Sequence, residues 1–535
     1  MTVIAATGAL PSISTLGSAN TLSVANTTAR APVTIISANP PASTSVSLNQ
    51  AASASNVLVY TPEGTVTPSG VAVWERDATD AISEVMSRNT LSRTWGGAFD
   101  DVGAALLNRF AASGSNFSQS VLFPRTEAQT QGVSNLALQT QLHMQADNAV
   151  SLRITTASGV KVDITLGRSA EGMAAQINVE DGTLTETERN AIASLSGAFQ
   201  DALDGLAEVP PRLAIAGLSK VDPSVLSSVN LRATSQTNGV ASQTIEFQSD
   251  SKQRSITITG PSGVAKVDVD VTQPNTFGSA AQQAAAVSKY LQQFDSARRR
   301  GNGDEALVDL FKGAFSALHS SYGPAAAPVS EGIGQTVRAS ATDLSRSMLS
   351  GLADFSASVS QTAQKINPLR QDEIDGFSYQ VSQDSSVSGS TRWDMSVTQV
   401  QKSALAASFH KSLVPNVALD LTKEKESQNY QYFQINDTTS SQTDIRYERG
   451  ELAKATFSQS SNLSTQVTKF LLGKEVEKTF MPSSDTSTRD MLSLVRAARL
   501  DESTKDIVEP RDQVNEILRR RLEELASSVA DLRNR

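Results

Sequence analysis

The sequence predicts an α+β protein built around a duplicated β-hairpin-plus-helices unit. One phrase, "SLRITTASGVKVDITL" from Ser151, is nearly repeated as "SITITGPSGVAKVDVDV" from Ser255. Each copy alternates apolar and polar residues around a small turn, which is typical of a β-hairpin, and each leads toward amphipathic helices. From Gly376 to about Phe480 the residues alternate again, as in antiparallel strands with one solvated face.

Composition and periodicity divide the chain into six segments. A disordered tail rich in Ser, Thr and Ala comes first, followed by a helical segment and by the duplicated hairpin-and-helix domain. A linker with one helix, an antiparallel β-rich region and a C-terminal helical segment complete the prediction. In order, the predicted boundaries are 1–70, 71–147, 148–325, 326–372, 373–482 and 483–535.

The overall composition excludes several classes of site. The 535 residues include no cysteine, so disulfides and thiolate metal sites are excluded. A formal net charge of −9 argues against a general nucleic-acid binder, because binding DNA or RNA requires a basic surface that neutralises phosphates. No run of about 18 apolar residues occurs, so the sequence predicts no transmembrane helix.

The N-terminal tail has an unusual composition. Residues 1–62 carry one charged side chain, Arg30, and show no apolar periodicity. Such a segment buries too little apolar surface to offset its ordering entropy, so we expect disorder. One interpretation is an uncleaved export signal for a route that threads unfolded chain, and the other is a flexible tether.

The repeat gives the clearest structural prediction. Leu152 and Ile154 alternate in the first copy as Ile256 and Ile258 do in the second, and each turn contains a glycine. A single hairpin is marginal in water, so we expect the two copies to place four strands in one sheet covered by helices.

Two further helices are predicted outside the repeat. The stretch "ATDLSRSMLSGLADFSASVSQTAQKI", residues 341–366, is interpreted as one helix in the linker. Residues 511–535 place leucines and a valine at 4-3-4-3 spacing, which indicates a short coiled-coil seam. That C-terminal helix either docks on the body of the protein or forms an oligomer with a partner helix.

Candidate chemical sites are weak in this sequence. Asp181, Gly182 and Glu188 match the second half of a calcium loop, but the first half supplies no oxygen ligands, so we interpret Thr185 and Glu188 as a helix capping box. The glycines of "GNGDEA" at Gly301 match a dinucleotide fingerprint but follow a helix, which predicts a turn between helices.

Nucleophilic catalysis also lacks a clear signature. The three histidines, His143, His319 and His410, lie in different segments, and no nucleophile-elbow motif occurs. Ser408 and Lys411 have the spacing of a Ser–Lys pair, which a serine-rich chain also produces by chance. We therefore assign no catalytic, cofactor-binding or metal-binding residue.

Three hypotheses about function follow from these observations. The first is a non-enzymatic bacterial structural or interaction protein with a protein partner, secreted or at the cell surface by a route that uses no signal peptide. The second is a cytoplasmic scaffold or adaptor that docks through its C-terminal helix. The third is a secreted effector hydrolase built around Ser408 or one of the histidines.

Overall fold

A computed structural model describes most of the chain between Val71 and Arg496. The described ranges are 71–92, 94–124, 134–208, 211–237, 240–319, 347–389, 394–493 and 495–496. The predicted N-terminal tail and the predicted helix at residues 511–535 lie outside the described residues.

Fifteen strands of the described part of the chain form one antiparallel sheet. In chain order they are β1 Val73–Trp74, β2 Phe117–Leu122, β3 Asn148–Thr156, β4 Lys161–Ser169, β5 Gly172–Glu180, β6 Leu226–Thr237, β7 Val240–Asp250, β8 Gln253–Gly260, β9 Gly263–Asp270, β10 Asp354–Gln361, β11 Gly376–Ser388, β12 Ser396–Ser412, β13 Tyr430–Glu448, β14 Glu451–Leu471 and β15 Lys474–Asp490. The order across the sheet is β1-β2-β5-β4-β3-β6 and then β7 to β15 in succession.

Eight helices lie in the described part of the chain. They are α1 Ala81–Asn89, α2 Trp95–Phe99, α3 Val102–Ser113, α4 Asn135–Met144, α5 Glu186–Ala193, α6 Ser196–Leu206, α7 Ala280–Gly301 and α8 Glu305–His319. None of these helices combines the length and the apolar character needed to span a bilayer.

Most helices cover one side of the sheet, which we call the helix face. Along β3, Val150, Leu152 and Ile154 are fully buried on this face, while the intervening residues point to the opposite, second face. Helix α8 packs on β8, β9 and β10, and α7 packs on β12. The period-two alternation therefore decides which side the helices cover, as expected for antiparallel strands with one wet face.

An aromatic cluster joins the helices to the sheet. The Tyr290 ring meets Phe355 edge-on with centroids 5.1 Å apart, and Phe294 meets Phe315 in the same way at 5.1 Å. Edge-to-face pairs of this kind contribute about 0.5–1.5 kcal/mol beyond the burial of their area. The cluster lies between α7, α8 and β10 and anchors both helices.

A buried ion pair ties the end of α7 to the last strands. The Arg300 guanidinium donates to both carboxylate oxygens of Asp437 on β13 and, over 3.0 Å, to the Thr465 hydroxyl on β14. The side chains of Arg300 and Asp437 are only 9% and 7% exposed. The pair therefore holds β13 and β14 against the helix at a point that apolar packing does not cover.

The predicted fold class was wrong in its proportions and in its repeating unit. Both hairpins form, as β3–β4 and β8–β9, and both belong to the same sheet. However, β6 and β7 separate them, and β5 intervenes between the first hairpin and its helices. One large antiparallel sheet dominates, and its hydrogen bonding, rather than a helix-covered duplicated unit, organises the molecule.

The helix predicted over residues 341–366 was also wrong. Its described part contains strand β10, which pairs with β9 and β11 on either side. Phe355, Ala357 and Val359 alternate with serines and are buried on the helix face. Ser and Ala are compatible with either state, and the two neighbouring strands supply the hydrogen bonds that decide for a strand.

Replacing Arg300 tests the importance of the buried pair. We expect Arg300→Met to lower the free energy of unfolding by about 3–5 kcal/mol, because it leaves the Asp437 carboxylate buried without its cation. The measurement is denaturant unfolding followed by circular dichroism. Arg153→Met is the matched control, since Arg153 pairs with Asp163 at an exposed position and should cost under about 1 kcal/mol. Equal losses in the two variants would contradict the assignment.

Candidate functional site

His143 lies in a polar cluster on the second face. Its Nε2 is 2.8 Å from Glu75 Oε2, and the same nitrogen is 3.4 Å from the Ser118 hydroxyl. A catalytic triad instead uses opposite ring nitrogens for the serine and the carboxylate. The cluster therefore fastens α4 and the β1 region to β2, and it lacks the geometry of a proton relay.

His319 is buried among aromatic rings at the end of α8. Its ring stacks on Phe315 with centroids 4.1 Å apart, and Nδ1–H donates to the Phe315 carbonyl over 2.9 Å. Burial lowers the pKa of His319 to about 4, because the charged form loses hydration there. His319 is therefore a neutral core residue at pH 7.

His410 on β12 lies between two carboxylates of the segment that joins β10 to β11. Nδ1 bonds to Asp375, and Nε2 is 2.9 Å from Glu373 Oε2. Burial alone would lower the pKa of His410, but the hydrogen bonds and charges of Asp375 and Glu373 outweigh it and raise the pKa. Because both ring nitrogens face acceptors, the geometry favours the charged imidazolium.

The same network extends to β13. Tyr430 donates its hydroxyl to Glu373 over 2.6 Å, and Asn367 donates to Glu373, to the Gln428 side-chain oxygen and to the Tyr430 hydroxyl. We call this group with His410 and Asp375 the His410 network. It holds the β10–β11 segment on the second face, and its interlocked bonds indicate an anchoring role.

Ser408 and Lys411 do not form a catalytic pair. They are three residues apart on strand β12, so their side chains point to opposite faces of the sheet. The Ser408 hydroxyl donates to the Ile374 carbonyl over 2.6 Å, which fastens the β10–β11 segment once more.

The two remaining sequence candidates are structural features. Thr185 and Glu188 form the reciprocal bonds of a capping box at the start of α5, as interpreted, and Asp181 pairs with Lys161 at 2.7 Å. Gly301 ends α7, and Asn302 follows in the left-handed conformation, so "GNGDEA" is a turn between helices. Among the described residues, no group of His, Asp or Glu side chains is arranged to hold a metal ion.

A polar trough of about 790 Å³ lies on the second face, across strands β3 to β9. Six of its seven charged side chains form ion pairs within it, and the seventh, Glu180, accepts a hydrogen bond from Asn178. Arg153 pairs with Asp163, Arg232 with Glu246 at 2.9 Å, and Lys266 with Asp268 at 2.9 Å. A surface whose charges are mostly paired offers little attraction for an ion, and no exposed aromatic side chain among the residues that line it is available to stack on a sugar.

The two edges of the sheet differ greatly. One edge is β1, which has two residues. The other is β15, which has 17 residues, sixteen of them exposed, and among the described strands it pairs with β14 alone. Among the described residues, the outer backbone groups of β15 have no strand beside them. An exposed strand edge of this length is a ready template for another strand.

The direction of the backbone groups on β15 follows from Pro482. Pro482 lies opposite Ser464 of β14 and has no N–H of its own. The N–H of Ser464 points away from β15, toward β13, where it donates to Asp437. The pair of Pro482 and Ser464 is therefore one without backbone hydrogen bonds between β14 and β15. The even-numbered residues from Pro482 to Asp490 therefore direct their N–H and C=O groups to the open edge, and the odd-numbered residues bond to β14. Met491 N–H donates to the Ala455 carbonyl, which continues this alternation.

The middle of the last strands is also uncovered on both faces. In the middle of β14, the residues from Thr456 to Ser461 are half-exposed whichever face they point to. Rows of Ser and Thr cross the strands there, with Thr486 and Thr488 bonded to Ser460 and Ser458 over 3.4 and 3.2 Å. A sheet that is wet on both faces has little apolar burial to stabilise it, so an added strand would extend it favourably.

Sequence reasoning missed both the His410 network and the open edge. Glu373 and Asp375 lie more than thirty residues before His410, and no local motif joins them. Strand β15 runs to Asp490, whereas the predicted β-rich region ended at residue 482. The only available signal was the Ser/Thr-rich stretch "SSDTSTRD", which resembles a loop in composition.

No known protein family, characterised protein or solved structure matches this chain. The function of this chain must therefore be inferred from its own geometry.

The charge state of His410 can be tested by its effect on stability. Its raised pKa stabilises the folded protein fully below about pH 6.5, the ordinary histidine value, and that contribution is lost as the pH rises through the folded pKa. We expect the stability difference between the unsubstituted protein and His410→Gln to be largest near pH 6 and to shrink toward pH 9.

Thermal unfolding across this pH range measures the difference. Ser408→Ala is the control, because it removes a bond to the same segment and no titrating group. Its cost should not change with pH. A pH-independent cost for His410→Gln as well would contradict a charged His410.

Proposed function

We propose that this protein is a non-enzymatic structural or interaction protein whose protein partner adds a β-strand to the open edge of β15. The observation that supports this proposal is the open edge itself. Strand β15 has 17 residues, almost all of them exposed, and its outward backbone groups have no neighbouring strand among the described residues. Main-chain hydrogen bonds to such an edge give affinity, and side chains on either face give specificity.

Several features of β15 limit its pairing to part of its length. Pro482 removes a donor from the open edge, and Lys474, Glu475 and Lys478 place charges along the N-terminal half. Charges and proline on an edge strand are common protections against unspecific pairing. The stretch from Ser483 to Asp490 contains no proline and is the part that a partner strand would use.

The alternative hypotheses draw less support from the described residues. The hydrolase hypothesis needs a nucleophile, a base and an orienting group in one cleft, whereas the three histidines occupy separate clusters and His319 is enclosed in the core. A scaffold that docks through the C-terminal helix depends on residues outside the described ranges. We also propose a location outside the cell or on its surface, which only the composition of the chain supports. Cell fractionation tests this location.

Site-specific photo-cross-linking tests the proposed surface. A photoreactive residue replacing Thr486, on the open edge, should cross-link to a protein in cells that make this chain. The same residue replacing Thr257, in the polar trough, is the control and should cross-link much less. Equal cross-linking at both positions, or none at Thr486, would contradict the proposal.

A pair of proline variants tests whether backbone groups carry the contact. Thr486→Pro removes an N–H that faces the open edge, so it should abolish cross-linking from a neighbouring position such as Thr488 and leave the melting temperature nearly unchanged. Ser487→Pro removes an N–H that bonds to β14, so it should destabilise the fold by about 1–3 kcal/mol. The opposite pattern would show that the assigned backbone directions are wrong.

A further inference from the structure

The strand that pairs with β15 can be identified from the charges on its open half. Asp485 and Arg489 are exposed and take part in no ion pair among the described residues. They lie on either side of Ser487 at equal spacing. When two antiparallel copies of this stretch are placed with Ser487 opposite Ser487, each Asp485 faces an Arg489 of the other copy.

We propose that the partner is a second copy of this chain, joined by antiparallel pairing of β15 with β15 about a two-fold axis at Ser487. This inference rests on the proposed function, since it names the occupant of the same edge. The two sheets would then continue into one another across the axis. Such a contact is self-complementary, as a two-fold interface must be.

The backbone geometry fits this register. Outward-directed groups belong to even-numbered residues, so Thr486 would bond to Thr488 of the second copy, and Ser484 to Asp490. Counting both halves of the symmetric contact gives about eight main-chain hydrogen bonds. The paired stretch ends just before Pro482, which therefore costs the contact no donor.

The side chains fit it equally well. Asp485 and Arg489 would face each other at positions without hydrogen bonds between the new strand pair, where side chains of opposite strands come closest. Thr486 and Thr488 would be neighbours on the second face, and cross-strand threonine pairs and opposite charges both stabilise a sheet. Both kinds of contact occur twice because of the symmetry.

Other symmetric registers are less favourable. Centring the contact in the N-terminal half, on Val476, would oppose Lys474 to Lys478 and Glu475 to Glu477, which are like charges. Centring it on Lys478 would oppose two lysines on the axis. Like charges directly opposite destabilise an antiparallel pair, so the charge pattern favours the Ser487 register over both of these.

The described residues leave the open edge of β15 free for a second copy, and the opposite edge of the sheet prevents further copies from adding. After Asp490, Met491 bonds to Ala455 and packs with Val495 against its own sheet, so the described chain turns away from the open edge. The other edge of the sheet is the two-residue β1, which offers too little backbone to continue the pairing. A closed dimer is therefore expected in place of a fibre.

The size of the contact predicts a reversible dimer. Pairing along seven residues buries much less surface than the ~1,600 Å² of a standard stable interface. We expect the full chain to pass from monomer to dimer as its concentration rises from about 1 to about 100 µM, the range of weak interfaces. Sedimentation velocity measures this transition.

Charge exchange provides the decisive test. Asp485→Arg alone and Arg489→Asp alone each place like charges opposite one another twice, and each should weaken dimerisation about tenfold or more. The double variant Asp485→Arg/Arg489→Asp restores opposite charges across the axis and should recover the unsubstituted dissociation constant. Thr486→Pro should abolish the dimer. All variants change exposed positions, and a thermal melt of each variant is the control for folding.

Each remaining outcome overturns the proposal in an identifiable way. A double variant as weak as the single variants would exclude the Ser487 register. Dimerisation unaffected by any of the variants would exclude β15 as the dimer contact. A monomer at all concentrations, together with cross-linking of Thr486 to a different protein, would overturn self-pairing and leave the proposed function standing. No cross-linking to any protein would overturn both.

Discussion

The continuity of one backbone hydrogen-bonding ladder is the constraint on which the structure depends. Every strand except the outermost two is hydrogen-bonded to a neighbouring strand on each side, and fifteen strands of the described residues are joined in this way. The helices do not contribute to the ladder and instead bury the apolar residues on one side of it. The position of each cluster of polar side chains can be understood from where helices cover the sheet and where they do not.

The coverage ends before the sheet does. Helix α7 packs on β12, and the Arg300–Asp437 pair connects the end of this helix to β13. In the middle of the strands beyond it, Ser, Thr and Gln replace the apolar residues on both faces, and hydrogen bonds between neighbouring side chains replace packing. In this part of the sheet the strands are held mainly by backbone hydrogen bonds. The open backbone edge of β15 is therefore the exposed feature most able to bind another strand.

Two segments of the described chain cover the second face, and each is held there by polar side chains. Helix α4 is held at one side of the sheet through His143 and Glu75, and the β10–β11 segment is held at the other through the His410 network. Between them, most charges of the trough lie in ion pairs, two across neighbouring strands and one along β9. Histidines are the obvious candidates for chemistry in a chain without cysteine. Here His143 and His410 instead hold neighbouring segments on the sheet.

The sequence by itself determined the features that depend on residues close together in the chain. Alternating apolar residues around a glycine turn predicted the β3–β4 and β8–β9 hairpins, and Thr185 with Glu188 predicted the helix cap. Tertiary structure alone decided that residues 354–361 form a strand, that Glu373 and Asp375 enclose His410, and that β15 lies open at the edge. Strand pairing and burial join residues far apart in sequence, and a polar stretch such as "SSDTSTRD" becomes a strand only because β14 supplies its hydrogen bonds.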